Sequence, residues 1–408
     1  MSESAPTTQP AGQPLPPYPA RLREVAEVFL RLGFTSFGGP AAALALIEDE
    51  VVHRRKWLDR GHFLDMVATV NFIPGPNSTE LAIHLGLWRA GFAGLVVAGV
   101  CFVVPAVLII LPIAWFYVRF GSLPQARHIL YAINAVIVAI VAVAMGRFAR
   151  TGITNSFGAV VATAAAAAGF ACQYYKGSQP DLLILAIAAA VGMVWHNIPR
   201  KPTNLLLSLP APWLGVAVLD PAARDNLWRM TLFFLKVGAT LFGSGYVLVS
   251  YLQSGLVDHL HWMTPRQLLD TIAVGQITPG PLLTSATFAG YLLGRQTFNG
   301  GLFGGIASAL LATGAIFAPA FFFIALFGPL LPRLRKNKLV RDALDGMNPA
   351  VVALILVVTV RLGIDALRGW PAMALFALSI TLLWRWKINT TWIIVGAAIV
   401  GWAGGRFA

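Results

Sequence analysis

The chain has 408 residues, of which 57% are hydrophobic and only 12% charged. Soluble domains carry roughly 25% charged residues, so this composition is that of an integral membrane protein and excludes an ordinary soluble fold. The formal net charge of +13 does not point to nucleic acid, because the basic residues fall in short loops such as Arg54-Arg55-Lys56, as positive-inside loops do. No zinc spacing, Walker loop or dinucleotide fingerprint is present, so neither a cofactor nor an enzymatic activity is expected. Cys101 and Cys172 lie in apolar segments and read as buried thiols.

Residues 1–20 are rich in Pro, Ser, Thr and Gln, the composition of a disordered tail. They lack the basic and then apolar start of a cleaved signal peptide. Glu24–Phe37 follows a helical pattern, Gly38-Gly39-Pro40 breaks it, and Ala41–Val52 resumes it. Phe63–Ile73 and Asn77–Trp88 flank a second break, Pro74-Gly75-Pro76. Each piece is only about 16–21 Å long at 1.5 Å per residue, too short for a hydrocarbon core of about 30 Å. The pieces are either full spans broken near the midplane or re-entrant hairpins. Both place irregular backbone deep in the membrane, where it survives only inside protein or beside a cavity. Ordinary membrane helices are predicted at 90–118, 125–149, 153–172 and 181–197. An apolar stretch at 204–219, interrupted by Pro210 and Pro212, is an interfacial linker or an extra crossing.

The order then repeats. Phe29–Gly38 reappears 205 positions later as Phe234–Gly243, and at that offset Trp57 meets Trp262, Asp65 meets Asp270, and Pro74-Gly75-Pro76 meets Pro279-Gly280-Pro281. At an offset of 214, Pro105 meets Pro319, Asn134 meets Asn348 and Arg147 meets Arg361. Helices are expected at 299–330, 337–363, 370–386 and 390–405. A repeat of this length marks two fused copies of a whole module, the construction of many secondary transporters. The expected units are repeats at 21–198 and 227–408 with a linker at 199–226. Loop 53–60 carries Arg54, Arg55, Lys56 and Arg60, whereas its counterpart 258–266 carries only Arg266. The bias reverses between 119–127 and 333–341. By the positive-inside rule the copies are inverted relative to each other, which requires an odd number of crossings per unit.

Arg31 and Lys236 occupy equivalent places within apolar runs, and a cation there normally faces a cavity or a partner. Helices that start after Pro76 and Pro281 present free N–H groups and the positive ends of their dipoles. Thr79 and Thr284 add a hydroxyl to each. Gly38-Gly39-Pro40 and Gly243-Ser244-Gly245 allow close backbone approach. Asn71 and Gln276, three residues before each Pro-Gly-Pro, are polar lining, and Asn77-Ser78 make the first break the more polar. Two helix N-termini with two cations suit a small tetrahedral dianion. Glu80, matched by Ser285, is an acid at a half-helix start that either couples a proton or caps the dipole; His84 has no matching His. Asn134 and Asn348 read as helix-to-helix hydrogen-bonding groups, and Arg147 and Arg361 as structural.

These motifs, Phe37-Gly38-Gly39-Pro40 and Asn71-Phe72-Ile73-Pro74-Gly75-Pro76 with Phe242-Gly243-Ser244-Gly245 and Gly275–Pro281, resemble those of the chromate ion transporter family in its long two-domain form. The likeness covers nearly all of residues 21–405. It departs at Ala43, where a His is expected in relatives. The resemblance implies a multi-pass protein of the bacterial inner membrane that exports chromate and gives chromate resistance, with sulfate as the isosteric relative. Its implied partners are chromate, sulfate and the lipid bilayer, and a homodimer is an admissible assembly. An anion channel or a sulfate transporter of the same architecture is the alternative.

Overall fold

The computed structural model describes residues 16–121, 123–176, 180–197, 226–243, 245–298, 300–328 and 337–407, and these are helical with no strand among them. Five helices are long and apolar enough to cross a membrane: Asn77–Phe120, Pro124–Gly152, Ser156–Tyr175, Gly301–Phe327 and Lys338–Ala366. Asp181–His196, Trp370–Arg385 and Thr390–Gly404 are shorter apolar helices that run beside them.

The broken elements are re-entrant hairpins. In the first, Tyr18–Thr35 descends to Gly38 and Gly39, whose φ of +102° and +84° suit glycine alone, and Pro40–Glu48 returns, extended by a wide turn to Arg54. The legs face each other in antiparallel order, Glu24 with Arg55 near the base and Arg31 with Glu50 nearer the tip. The second hairpin pairs Arg60–Val70 with the start of Asn77–Phe120. Its base is marked by His62 against Trp88 and its tip by Asn77 Nδ2 donating to Asn71 Oδ1 at 2.5 Å. Asp59 caps that base by accepting the His62 N–H at 3.0 Å, and this bond holds its carboxyl below the usual carboxylate range.

The second repeat builds the same two hairpins. Asn226–Thr240 and residues 247–259 form the third, with Arg229 over the Trp262 ring at its base and Tyr251 Oη donating to Thr240 O near its tip. Pro265–Ile277 and residues 282–297 form the fourth, where Gln267 meets Gln296 at 2.7 Å. A capping box between Thr264 and Gln267 starts its first leg.

The expected separation between 77–88 and 90–118 is a fold-back. Ala90 and Gly91 leave helical geometry, with Gly91 at φ +64°, and the chain reverses into the long helix that follows. Gly86 and Gly94 let the two limbs touch, since a Cβ on Gly86 would lie 2.3 Å from Gly94 O.

The repeats are inverted. Tyr117 stands 26 residues beyond the Gly91 turn, about 39 Å along its helix, yet its hydroxyl donates to Asp270 Oδ2 at 2.6 Å, in the basal half of the fourth hairpin. At the same end Arg266 donates to Arg127 O at 3.3 Å. Conversely Gly328, at the far end of Gly301–Phe327, lies beside Leu87 at the base of the second hairpin. The first two hairpins therefore rise from one face, which carries Arg54, Arg55 and Arg60, and the last two from the opposite face. His196 accepts from Lys338 on the basic face at 3.3 Å, while Arg229 begins the third hairpin on the other. The 204–219 stretch, residues 1–15 and residues 333–336 of the 333–341 loop lie outside the described residues.

Single cysteines in loops 53–60 and 258–266 should react with an impermeant thiol reagent from opposite sides of the membrane; labelling of both from one side would contradict the inversion.

Candidate functional site

The four tips converge, and two hydrogen bonds join them. Gly75 N–H donates to Leu241 O at 2.7 Å and Gly280 N–H donates to Ser36 O at 3.0 Å. At the 205-residue offset these are the same bond, made once from each repeat to the other. Both donors have positive φ, +144° and +95°, so glycine is what lets each Pro-Gly-Pro turn aim its N–H across the interface. Pro74, Pro76, Pro279 and Pro281 are buried around them.

Pro76 is the N-cap of one following helix and Pro281 of the other. Pro76 O accepts from Thr79 N at 2.8 Å and Glu80 N at 3.1 Å, and Pro281 O accepts from Thr284 N at 3.0 Å. The N–H groups of the first helical positions, Asn77 and Ser78 in one repeat and Leu282 and Leu283 in the other, have no intrahelical acceptor. Those groups, rather than the glycine N–H groups, are the backbone donors available to a ligand.

Side chains around the tips are buried and short of partners. Ser36 Oγ, Thr79 Oγ1, Gln276 Nε2 and both carboxyl oxygens of Glu80 make no hydrogen bond among the described residues, although their residues are at most 4% exposed. Buried polar atoms are ordinarily satisfied, so such a concentration makes this centre the candidate site. Glu80 folds back over the turn, one carboxyl oxygen 2.4 Å from where a Cβ on Gly75 would sit. His84, one turn further along, also has an unpartnered Nδ1. Thr284 differs from its counterpart Thr79, since its hydroxyl donates to Pro281 O at 2.7 Å.

Two side chains missed by the sequence reading join this centre. The Tyr246 hydroxyl lies 3.6 Å from the Cβ position of Gly39 and stands against Gln276. Asn389, in the loop before Thr390–Phe407, brings Nδ2 to 3.2 Å from the Cβ position of Gly38. The counterpart of Tyr246 is Ala41, so a search for features shared by both repeats passes over it. Gly243 turns at φ +87° and Gly245 is buried against Leu282. Ser244 lies outside the described residues, and of Pro40 only its backbone at a helix start is described.

The two cations are not equivalent. Arg31 pairs with buried Glu50, which also binds Arg55 at 2.9 Å; Arg55 reaches Glu24, and Glu24 holds Arg89 at 2.9 Å and the Trp57 Nε1–H at 2.8 Å. Arg31 is thus part of an ion network that ties the first hairpin to the base of the second. The position matching Glu50 is Gly255, and Lys236, half-buried, has no ion-pair partner among the described residues. Asn71 and Asn77 bind each other rather than facing the centre as a pair of free groups. Arg147 reaches Leu383 O at 3.4 Å, and Arg361 pairs with Asp258, which accepts from Gln253 at 3.0 Å, so both arginines bind helices together.

Opposed hairpins, inverted repeats and a polar centre at their tips define a polytopic membrane protein with a polar centre between its two halves. The chain belongs to the chromate transporter family, which it matches over residues 23–193 and 228–402, one stretch in each repeat. It is 28% identical over 390 residues to a chromate transport protein of Cupriavidus metallidurans, covering 93% of this chain and 92% of the relative. It is also 28% identical to a probable chromate transport protein of Synechococcus elongatus, covering 93% and 95%. An uncharacterized transporter of Methanocaldococcus jannaschii is 26% identical, with 92% of each chain covered. No solved structure matches the chain. The family is one of transporters, not of enzymes.

Lys236→Gln should reduce chromate flux at least ~tenfold without lowering the thermal midpoint in detergent, because it removes a cation that no acid balances. Glu50→Gln should act the other way round, costing about 1–3 kcal/mol of stability through the stranded Arg31 and Arg55. Paired flux and melting measurements separate the two roles.

Proposed function

We propose that this protein is a secondary transporter that exports chromate from the cytoplasm across a bacterial inner membrane and so confers chromate resistance, with sulfate as competitor or counter-ion. The observation that supports it most is the tip-to-tip pair of bonds from Gly75 and Gly280, which sets two helix N-termini and unpartnered buried donors at the centre of a chromate transporter family member. In this reading the dianion is held by the free N–H groups after Pro76 and Pro281, by Thr79 and Gln276, and by the field of Lys236 and, more weakly, Arg31. Thr284, Ser78, Asn71, Asn77 and the glycine tips shape the cradle. Repeats 21–198 and 227–408 are the moving units, and the face with loop 53–60 is cytoplasmic. Moving a dianion outward is favoured by an inside-negative potential, by about 4.6 kcal/mol per 100 mV for two charges.

Glu80 is the coupling group of this reading. A dry carboxylate beside a dianion is doubly unfavourable, so anion and proton occupy the centre together. Glu80→Gln should keep chromate affinity while flattening the pH dependence of flux; an unchanged pH profile would remove Glu80 from the coupling path.

Labelled chromate uptake into everted vesicles should saturate and be stimulated by sulfate on the far side. Flux that rises linearly with concentration, with no such stimulation, would support a channel instead. The two glycines should differ. A Cβ at Gly75 meets the Glu80 carboxyl at 2.4 Å, whereas at Gly280 the nearest atom is Ala106 Cβ at 3.4 Å. Both Gly→Ala variants should lose transport through backbone restriction, Gly75→Ala the more severely.

A further inference from the structure

Asp270 lies on the inward leg of the fourth hairpin and is 1% exposed. Its Oδ2 accepts from Tyr117 Oη, and its Oδ1 has no partner. The Asn134 side chain, 5% exposed, stands against the same carboxyl, and Asn134 Oδ1 is also unpartnered. The Asn134 amide is thus a polar neighbour of a carboxylate that keeps one oxygen without a partner among the described residues. Asn134 also lines a cavity of about 420 Å³ together with Tyr131, Thr264, Arg266, Asp365 and Arg368. These residues lie at the ends of helices on the face opposite the basic one, so the cavity leads from that face down to the Asn134–Asp270 pair. The groups facing Asp270 are Tyr117 from the long first-repeat helix, Asn134 from Pro124–Gly152 and Arg266 from its own leg, with Asp365 and Arg368 across the cavity.

We infer that Asp270 is a proton-binding site of the transport cycle, loaded from the outer face through this cavity and closed off by Tyr117 in the conformation seen here. This rests on the transporter reading above and adds a second proton site, separate from Glu80 and filled from the outer face. The proton comes from water in the cavity and bonds to Asp270 Oδ1. That step removes an anion from a dry interior. The repeat supplies the second half of the cycle. Asp65, the counterpart of Asp270, is exposed on the basic face, so the same acid is buried on one side and accessible on the other. Inverted repeats exchange such environments when access alternates, so in the other conformation Asp270 opens to its own outer face and Asp65 becomes the buried acid.

The test uses the full-length protein as wild type, Asp270→Asn, Asp270→Glu and Glu80→Gln. Infrared difference spectra on changing pH should contain a protonated-carboxyl carbonyl band that is absent in Asp270→Asn and present in Glu80→Gln. In proteoliposomes, acidifying the side of loop 258–266 should speed wild-type chromate flux about fivefold or more, the scale of an ordinary coupling energy. Asp270→Asn should lose that response with chromate affinity within about twofold of wild type, and Asp270→Glu should restore it. Should Asp270→Asn not fold, Asn134→Leu keeps the acid and should shift its band. An unchanged band and pH response in Asp270→Asn, or a response to sodium in place of protons, overturns the proposal. Absence of chromate flux in the wild type would overturn the transporter reading instead, and the spectra would still decide on Asp270.

Discussion

Two backbone hydrogen bonds, Gly75 to Leu241 and Gly280 to Ser36, are the constraint on which the centre of this molecule depends. A re-entrant hairpin must turn inside the membrane, and its turn leaves peptide groups that water cannot satisfy. Neither repeat satisfies its Pro-Gly-Pro turn alone. Each glycine N–H finds its acceptor at the end of the first helix of the other repeat, so the two halves complete each other at the midplane. The close approach this requires is supported by glycine elsewhere: a Cβ on Gly33 or Gly238 would lie within 3 Å of the long helix that each packs against.

Much of this was legible in the chain. The repeat, the four Gly/Pro breaks and the eight ordinary helices follow from spacing and apolar length, and the helix ends fall within a few residues of those expected. Hairpin against broken span was not legible, because a half-helix has the same length and composition in both. Only contacts between legs, Glu24 with Arg55 or Tyr251 with Thr240, distinguish them. The reading of Arg31 as a cation facing an anion missed Glu50, an acid 19 residues away with no counterpart in the second repeat. Tyr246 and Asn389 were invisible for a related reason, since a method that weighs what both copies share discounts what one copy has acquired. Asp270 was visible as a repeat match, but its burial behind Tyr117 is a long-range fact.

The departures from symmetry fall in a pattern. On the basic face Glu24, Glu50, Arg31, Arg55 and Arg89 cross-link the first hairpin to its neighbour; the matching positions are Arg229, Gly255, Lys236, Leu260 and Gly294. Partly exposed ion pairs are individually weak, yet this set shares two acids among several arginines and ties both hairpins at their bases. The third hairpin has Arg229 over Trp262 in its place. Two repeats with one backbone plan therefore hold their hairpins by different interactions.

That asymmetry bears on how a doubly charged ion can pass without being trapped. A site built from several free guanidinium groups would bind a dianion tightly and release it slowly. At the tips the guanidinium nearest the first one is shared with Glu50, the glycine N–H groups are committed to the opposite repeat, and what remains is helix-end N–H groups, hydroxyls and an amide. Partial charges of this kind replace a hydration shell without fixing the ion in place, and their strength depends on both tips meeting. Separating the tips would break the Gly75 and Gly280 bonds and divide the polar centre in the same motion, so in the proposed transporter the interaction that assembles the site would also set the condition for release.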